Sequence, residues 1–489
     1  MKKVQGQPQG DAAPPSAPEA LLGTAPVTRQ ERVWGFVDFS WVMIGLAVAT
    51  WAFLIGGEVV EFLGLRAGIA AMTFGNVIGV GVVLVSVLGN TKYGLEHFSL
   101  VRSSFGRHGV KPLIYIVNFL VAVGWSGILA VMFGRAGVHI VNALAGTSFH
   151  GDHLLVSLFG LGALAAAWIA TARGPITLRR LNRLAAPGLA LVVVAMLILL
   201  LRDRGWSDLL TLQPLEPVED RHLNFMLVVE FSIAAGLSWW PALGNLSRLA
   251  TTQRSAVWAG IVGLLVVTLL AQTVGLMAAL AYGSADPTTW MIPLAGAGAG
   301  ILILLWVGFA NVTTMAVQAY QVGVALRQES VPWLSTMGWP LLVGLFLGLS
   351  SLFLIQPSAV YDNFFRFLYW ISLSYAPVVG VVLADYFVLR RQRLDLPAIF
   401  NGEEGSPYDF WRGWNLAAYL AIAVGVGVYL WLLNPVSLRY GDAFPYLTAS
   451  VPSLLAAGAA HLVLTTLWVR RSRRGGYDSS PSPGPEEVS

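Results

Sequence analysis

Residues 223–244 read LNFMLVVEFSIAAGLSWWPALG, an apolar run of membrane length that interrupts itself. Leu223 to Ala235 has the character of an uninterrupted helix, and Gly236, Ser238, Trp239, Trp240, Pro241 and Gly244 then follow in close succession. Backbone at bilayer depth must satisfy its own hydrogen bonds. A break there is tolerated only where it is buried in protein or lines a polar cavity. A serine and two tryptophans around such a break suit a pocket for something flat and polar.

The whole chain supports a membrane setting. Of its 489 residues 56% are hydrophobic and only 11% charged, and the mean hydropathy is +0.67. Soluble domains carry about 25% charged residues, so the expected class is an all-α, multi-pass membrane protein whose main partner is the lipid bilayer. The net charge of +4 is spread over short loops and marks no nucleic-acid surface. Zero Cys excludes disulfides, thiolate metal sites and cysteine nucleophiles. No nucleotide-binding loop, Ser-His-Asp order or zinc motif is present, which argues against an ATP-driven pump, a membrane hydrolase or an organic cofactor. Residues 1–33 and 470–489 are poor in apolar residues and rich in Pro, Gly, Ala or Ser, a composition expected to be disordered. The N-terminal stretch also lacks the apolar core of a cleavable signal peptide.

About 20 apolar residues cross a hydrocarbon core as a helix. Twelve runs meet that criterion: 36–62, 68–90, 112–140, 153–172, 184–201, 223–244, 256–282, 295–326, 335–355, 364–390, 414–434 and 446–469. With the N-terminus inside, most Lys and Arg fall in inner segments, so both termini are expected in the cytoplasm of a cell-membrane protein. The first five runs (34–202) and the next five (223–390) are nearly equal in length. Five is odd, so the second half enters from the opposite side and the halves form an inverted repeat, followed by two extra helices at 414–469. Such repeats place substrate and ion sites where corresponding helices are interrupted. In the first run Gly45, Thr50, Trp51, Gly56 and Gly57 supply the matching punctures.

Three runs carry residues suited to binding. The third holds Val123-Gly124-Trp125-Ser126-Gly127, with Trp125 far from the interfaces that Trp prefers. It is either a packing residue or, together with Trp239, a platform that holds a planar heterocycle. The sixth run offers Ser238 and the amides and carbonyls expected to be freed by unwinding near Gly236. Its Glu230 is a proton carrier, a ligand for ring N–H groups, or a solvated outer-end residue. The eighth run contains Asn311, Thr313, Thr314, Gln318, Tyr320 and Gln321, and Thr314, Gln318 and Gln321 share one face. So many polar groups favour a cavity over helix pairing alone, and hydroxyls with carbonyls suit a hard cation such as Na+. The other charges look structural: Asp385 with Arg390 and Arg391 as interfacial anchors, Asp38 before the first run, Glu58 and Glu61 at its outer end.

Several stretches resemble a known family. Arg102-Ser103-Ser104-Phe105-Gly106, then Gly109, then Gly124-Trp125-Ser126-Gly127 is similar to the R-x-S-F-G … G-W-x-G of the nucleobase:cation symporter-1 family. Ser238-Trp239-Trp240-Pro241 through Asn245-Leu246-Ser247-Arg248 and Ala384-Asp385-Tyr386-Phe387-Val388-Leu389-Arg390-Arg391 with Asp395 resemble two more of its motifs. The resemblance implies a five-plus-five inverted repeat with broken first and sixth helices. It also implies import of nucleobases, hydantoins, allantoin or pyrimidine vitamin precursors with Na+ or H+. On that likeness Trp125, Trp239, Ser238 and Gln318 are substrate residues, joined by Thr50, Trp51 and Gly236 from the broken helices. Thr313, Thr314 and Asn311 are the cation residues. Two positions depart: Leu129 stands where the family often has a ring-recognising Gln, and Asn245 where it has an Asp. The same fold used for amino acids or amines, a non-transporting sensor, and a channel are the alternatives. A channel would show a polar or charged ring along its pore.

Overall fold

Lipid leaves an apolar chain few options beyond helix, and the chain is helical almost throughout. The computed structural model describes residues 26–32, 34–149, 153–329, 334, 336–400 and 406–477. In order, the helices are α1 (Phe36–Ala47), α2 (Thr50–Glu58), α3 (Leu65–Tyr93), α4 (His97–Phe105) and α5 (Val110–Ala145). They continue with α6 (His153–Ala172), α7 (Pro175–Asp203), α8 (Arg221–Leu237), α9 (Trp240–Ser247) and α10 (Gln253–Tyr282). The last are α11 (Pro287–Glu329, kinked at the non-helical Gly296), α12 (Trp339–Leu354), α13 (Phe364–Leu389), α14 (Leu416–Leu432) and α15 (Ser450–Val469). All twelve sequence runs appear as helices. Among the described residues nine are long and apolar enough to cross a bilayer, the bent pair α1–α2 makes a tenth, and α12 and α14 are shorter.

The first run breaks at Val48 and Ala49, both extended, and its two halves meet at a bend of 57°. The glycines expected to puncture it do something else. A Cβ on Gly56 would lie 1.8 Å from the Gln272 carbonyl oxygen and one on Gly57 2.3 Å from that of Ala285, so both let the chain after the break press onto α10 and its end. Gly45 faces Asn182 of α7, where a Cβ would sit 3.1 Å from Oδ1. Close approach, rather than a break, is what these glycines supply.

The same device joins α3 to α8. Gly75 and Gly79 are four apart, as are Ser232 and Gly236, and small residues at that spacing let membrane helices approach through their backbones. An added Cβ would come within 2.5 Å of Ser232 Cβ at Gly75, 2.5 Å of the Ile233 oxygen at Gly79, and 2.6 Å of Val80 N at Gly236. Gly236 thus packs against α3 and is not among the residues that line the cavity described below.

Both described ends of the chain reach the same face of the bundle. The Val27 N–H donates to the Gly94 oxygen (2.9 Å), the Tyr93 hydroxyl to the Gln392 oxygen (2.9 Å), and the Tyr477 hydroxyl to Asp385 Oδ1 (2.7 Å). Residues 26–32 and 470–477 thus pack against the helices instead of extending the expected disorder. A composition averaged over each tail does not register one buried Val27 or one bonded Tyr477. The rest of the two expected disordered tails, 1–25 and 478–489, lies outside the described residues. Arg390 is likewise buried rather than an interfacial anchor. Its Nε pairs with Asp385 Oδ2 at 2.8 Å, its Nη2 donates to the Ser103 oxygen at 2.7 Å, and its guanidinium lies over the rings of Tyr408 and Tyr477. Ser104 of the Ser-Phe-Gly motif donates to the same Asp385 oxygen at 2.9 Å, so two motifs distant in sequence form one cluster.

In the connection between α3 and α5, His97 packs edge-on against Trp240 (centroids 4.4 Å) and Phe98 (5.1 Å), with both ring nitrogens buried and unpartnered. Its main-chain N–H donates to Asn245 Oδ1 at 3.1 Å, and the neighbouring Glu96 carboxylate is itself flanked by Arg248 and Arg102. Burial pushes the imidazole down from 6.5 to about 3. The folded state then binds fewer protons than the unfolded state between those values. This contribution is complete above about pH 6.5 and falls by up to about 1.4 kcal/mol per pH unit below it. The melting temperature of the purified protein is expected to drop between pH 7.5 and 5, and His97→Gln to flatten that slope. An unchanged slope contradicts the buried neutral imidazole.

Candidate functional site

A helix that begins in mid-membrane leaves its first N–H groups without partners. At the start of α2 the Thr50 N–H donates to Asn311 Oδ1 at 3.1 Å, and the Thr50 hydroxyl donates to the same oxygen at 2.6 Å. Asn311 Nδ2 reaches the Leu129 carbonyl of α5 at 3.4 Å. One amide on α11 therefore pins the broken first run to α5. Thr50 and Asn311, expected at a substrate and a cation site, spend their polar groups on each other.

The break between α8 and α9 is a single tight turn rather than an unwound stretch. The Ser238 N–H donates to the Ala234 oxygen (3.0 Å) and the Trp239 N–H to the Gly236 oxygen (3.2 Å). Pro241 has no N–H to offer the Leu237 carbonyl, so the helix is interrupted there while most of its backbone stays paired. Few free amides result, against the sequence expectation.

Beside these two breaks lies a cavity lined by Leu46, Trp51, Asn118, Val121, Ala122, Trp125, Leu129, Ser238, Trp239, Ala242, Thr314, Val317, Gln318, Gln321 and Tyr375. Trp51 stands between the other two indoles, 6.1 Å from Trp125 at an interplanar angle of 73° and 5.8 Å from Trp239 at 56°. Phe364 and Phe367 hold the far side of Trp125 edge-on at 5.9 and 5.4 Å. The expected pair of tryptophans is thus a cluster of three, with Trp51 between them.

The polar groups are few and specifically placed. The indole N–H groups of Trp51 and Trp125 are buried without partners, as are Thr314 Oγ1 and Gln321 Oε1. Gln318 Oε1 accepts from the Ser126 hydroxyl at 3.1 Å, and the Tyr375 hydroxyl donates to Asn118 Oδ1 at 3.4 Å. Ser238 spends its proton on the Ala235 oxygen at 2.6 Å, which leaves its oxygen able to accept. No lining residue carries a charge, so the cavity suits a neutral ring. Asn118 and Tyr375 were not anticipated. The signal for Asn118 was an isolated amide inside an apolar run, and for Tyr375 a Ser372-Leu373-Ser374-Tyr375 stretch inside another.

Two other expected residues lie elsewhere. The Thr313 hydroxyl donates to the Ala310 oxygen of its own helix at 3.0 Å, and only Thr314 of the pair faces the cavity. Glu230 is fully buried and receives four hydrogen bonds: from the Tyr429 hydroxyl (3.0 Å), the Ala449 N–H (2.9 Å), the Ser450 N–H (3.1 Å) and the Ser450 hydroxyl (2.5 Å). A carboxylate at the N-terminal end of α15, where N–H groups converge, ties α8 to the last two helices. It is not a solvated outer-end residue, and it is not among the residues that line the cavity.

Residues 26–447 match the model of a family described as permeases for cytosine/purines, uracil, thiamine and allantoin. The purine-uracil permease of Arabidopsis thaliana is 25% identical over 94% of this chain and 78% of its own length. A cytosine permease of Escherichia coli is 26% identical over 86% of this chain and 92% of its own. The fold is similar to that of a nucleobase-cation-symport-1 family transporter solved in a closed conformation with bromovinylhydantoin bound. That likeness has a TM-score of 0.77 and 18% identity, and it covers 92% of this chain and 96% of that one.

The Asn311 pin has a direct test in stability. Asn311→Ala leaves two donors of Thr50 buried and unsatisfied, at about 1–3 kcal/mol each. Thermal melts are expected to rank Asn311→Ala lowest, Thr50→Val between, and Thr50→Ser near wild type. An Asn311→Ala protein that melts with wild type contradicts the pin.

Proposed function

The chain belongs to the nucleobase:cation symporter-1 family of membrane permeases, and from that premise we propose that it imports a small, neutral, planar nitrogen heterocycle together with Na+. The single observation that carries the reading is the cluster of three indoles around an uncharged, polar-edged cavity beside the α1–α2 break. Flat rings gain about 0.5–1.5 kcal/mol per aromatic contact beyond burial. The nucleobases, allantoin and hydantoins named for the relatives all offer such a face with N–H and C=O groups on the rim. Amino acids and amines are charged, and a cavity without a charged side chain is a poor host for them.

Na+ rather than a proton is supported by the donor set. The cavity holds no carboxylate and no imidazole to take up a proton. It does combine Thr314 Oγ1, which lacks a partner, with Leu46 near the end of α1. Helix C-termini carry about half a unit of negative partial charge, and hydroxyl and carbonyl oxygens are ligands of hard cations. In this reading 34–202 and 223–390 are the inverted repeats, 414–469 adds two helices, and both termini are cytoplasmic. Import would proceed as one group of helices rocks against the other around the cavity.

Uptake into proteoliposomes tests the reading. An inward Na+ gradient is expected to drive accumulation of at least one of cytosine, uracil, allantoin and hydantoin. Trp125→Ala is expected to abolish it, while Trp125→Phe retains part. Thr314→Val is expected to raise the Na+ concentration for half-maximal uptake about tenfold, the equivalent of roughly 1.4 kcal/mol. Accumulation driven by a proton gradient in the absence of Na+ overturns the cation assignment.

A further inference from the structure

The cavity has an acceptor that its walls do not use. Gln321 lies three residues beyond Gln318 on α11, is only 7% exposed, and its Oε1 is buried with no partner. Leaving a buried amide oxygen unpaired carries its full desolvation cost. The cost is removed when an occupant of the cavity supplies a donor.

The other walls narrow what that donor is. Along α5 the lining residues Val121, Ala122 and Leu129 are apolar, and the amide oxygen of Asn118 is taken by the Tyr375 hydroxyl. The α5 and α2 tryptophans contribute N–H groups, which match ring carbonyls or ring nitrogens. Gln318, which lines the cavity, spends its oxygen on Ser126, so its NH2 is the end left to donate. Donors therefore come from the indoles and Gln318, and a buried amide acceptor comes from Gln321.

Resting on the function proposed above, we propose that Gln321 is the specificity residue for a ring N–H. The substrate carries a lactam-type edge, with its N–H placed on Gln321 Oε1 and a neighbouring acceptor on the Gln318 amide. A site built around such a hydrogen bond rejects analogues that lack the donor far more strongly than an apolar pocket rejects a changed methyl group. The chemical class selected is thus rings with a free N–H beside a C=O, over their N-methylated counterparts.

The test compares uracil with 1-methyluracil and 3-methyluracil as inhibitors of uptake, using whichever of uracil, cytosine, allantoin and hydantoin wild type accumulates as the labelled probe. Wild type is expected to prefer uracil by about 100-fold or more over one of the two methyl isomers. Gln321→Leu is expected to cut that ratio below about tenfold, mainly by weakening uracil. Gln321→Glu keeps an acceptor and is expected to keep much of the ratio, and Gln321→Met stands in if the leucine variant melts early. A ratio unchanged in Gln321→Leu overturns the role of Gln321 and leaves the proposed function standing. Loss of selectivity only toward analogues lacking a ring acceptor reverses the amide and also overturns it. A wild-type protein that accumulates none of the four probes overturns the function itself, and this inference with it.

Discussion

The architecture depends on satisfying one helix start in a place without water. The chain leaves α1 at Ala47, runs extended through Val48 and Ala49, and begins α2 at Thr50. In lipid the N–H groups of a helix start have no solvent to turn to, and one Asn311 oxygen accepts both the Thr50 N–H and the Thr50 hydroxyl. Because Asn311 also holds the Leu129 carbonyl, the requirement for local hydrogen bonding becomes a three-way junction of α2, α5 and α11. Trp51 is the next residue along α2, Trp125 lies one turn before Leu129, and Thr314 one turn after Asn311. The junction that satisfies the backbone also places the cavity's lining.

A second constraint fixes the other side. Small residues bring α3 and α8 within backbone contact at Gly75, Gly79 and Gly236, while Glu230 ties α8 to α14 and α15 through four donors. With α8 held at those points, the turn at Ser238 and Trp239 faces the cavity. A buried ion pair lies apart from the cavity: Asp385 and Arg390 collect Ser103, Ser104, Tyr408 and Tyr477 at the face reached by both described ends of the chain. The interior that meets a ligand is left neutral, aromatic and sparsely polar.

How much of this was readable in the sequence follows from the range of each signal. The apolar runs and the tryptophans away from interfaces are local features, and each run became a helix with Trp125, Trp239 and Trp51 gathered at one cavity. Residues whose meaning depends on a distant partner were misplaced. Thr50 and Asn311 stand 261 positions apart, and nothing near either names the other. Glycine is ambiguous in principle, since it both breaks helices and lets them touch, so Gly56, Gly57 and Gly236 were assigned to breaks when they serve contacts. Arg390 carried the charge and the position of an interfacial anchor, and only the fold reveals Asp385 beside it. Thr313 and Thr314 are neighbours of the same type, and helix rotation alone decides that the second faces the cavity.

The central claim is that a ring lodges among three indoles where the broken first helix meets α5, α9 and α11. A cryo-electron-microscopy structure of the protein with a bound nucleobase or hydantoin addresses it most directly. The account expects planar density in contact with Trp51, Trp125 and Trp239, its edge toward Gln318, with α1 and α2 separated at Val48–Ala49. A ring bound at another place, or a continuous first helix with those indoles turned to lipid, contradicts it.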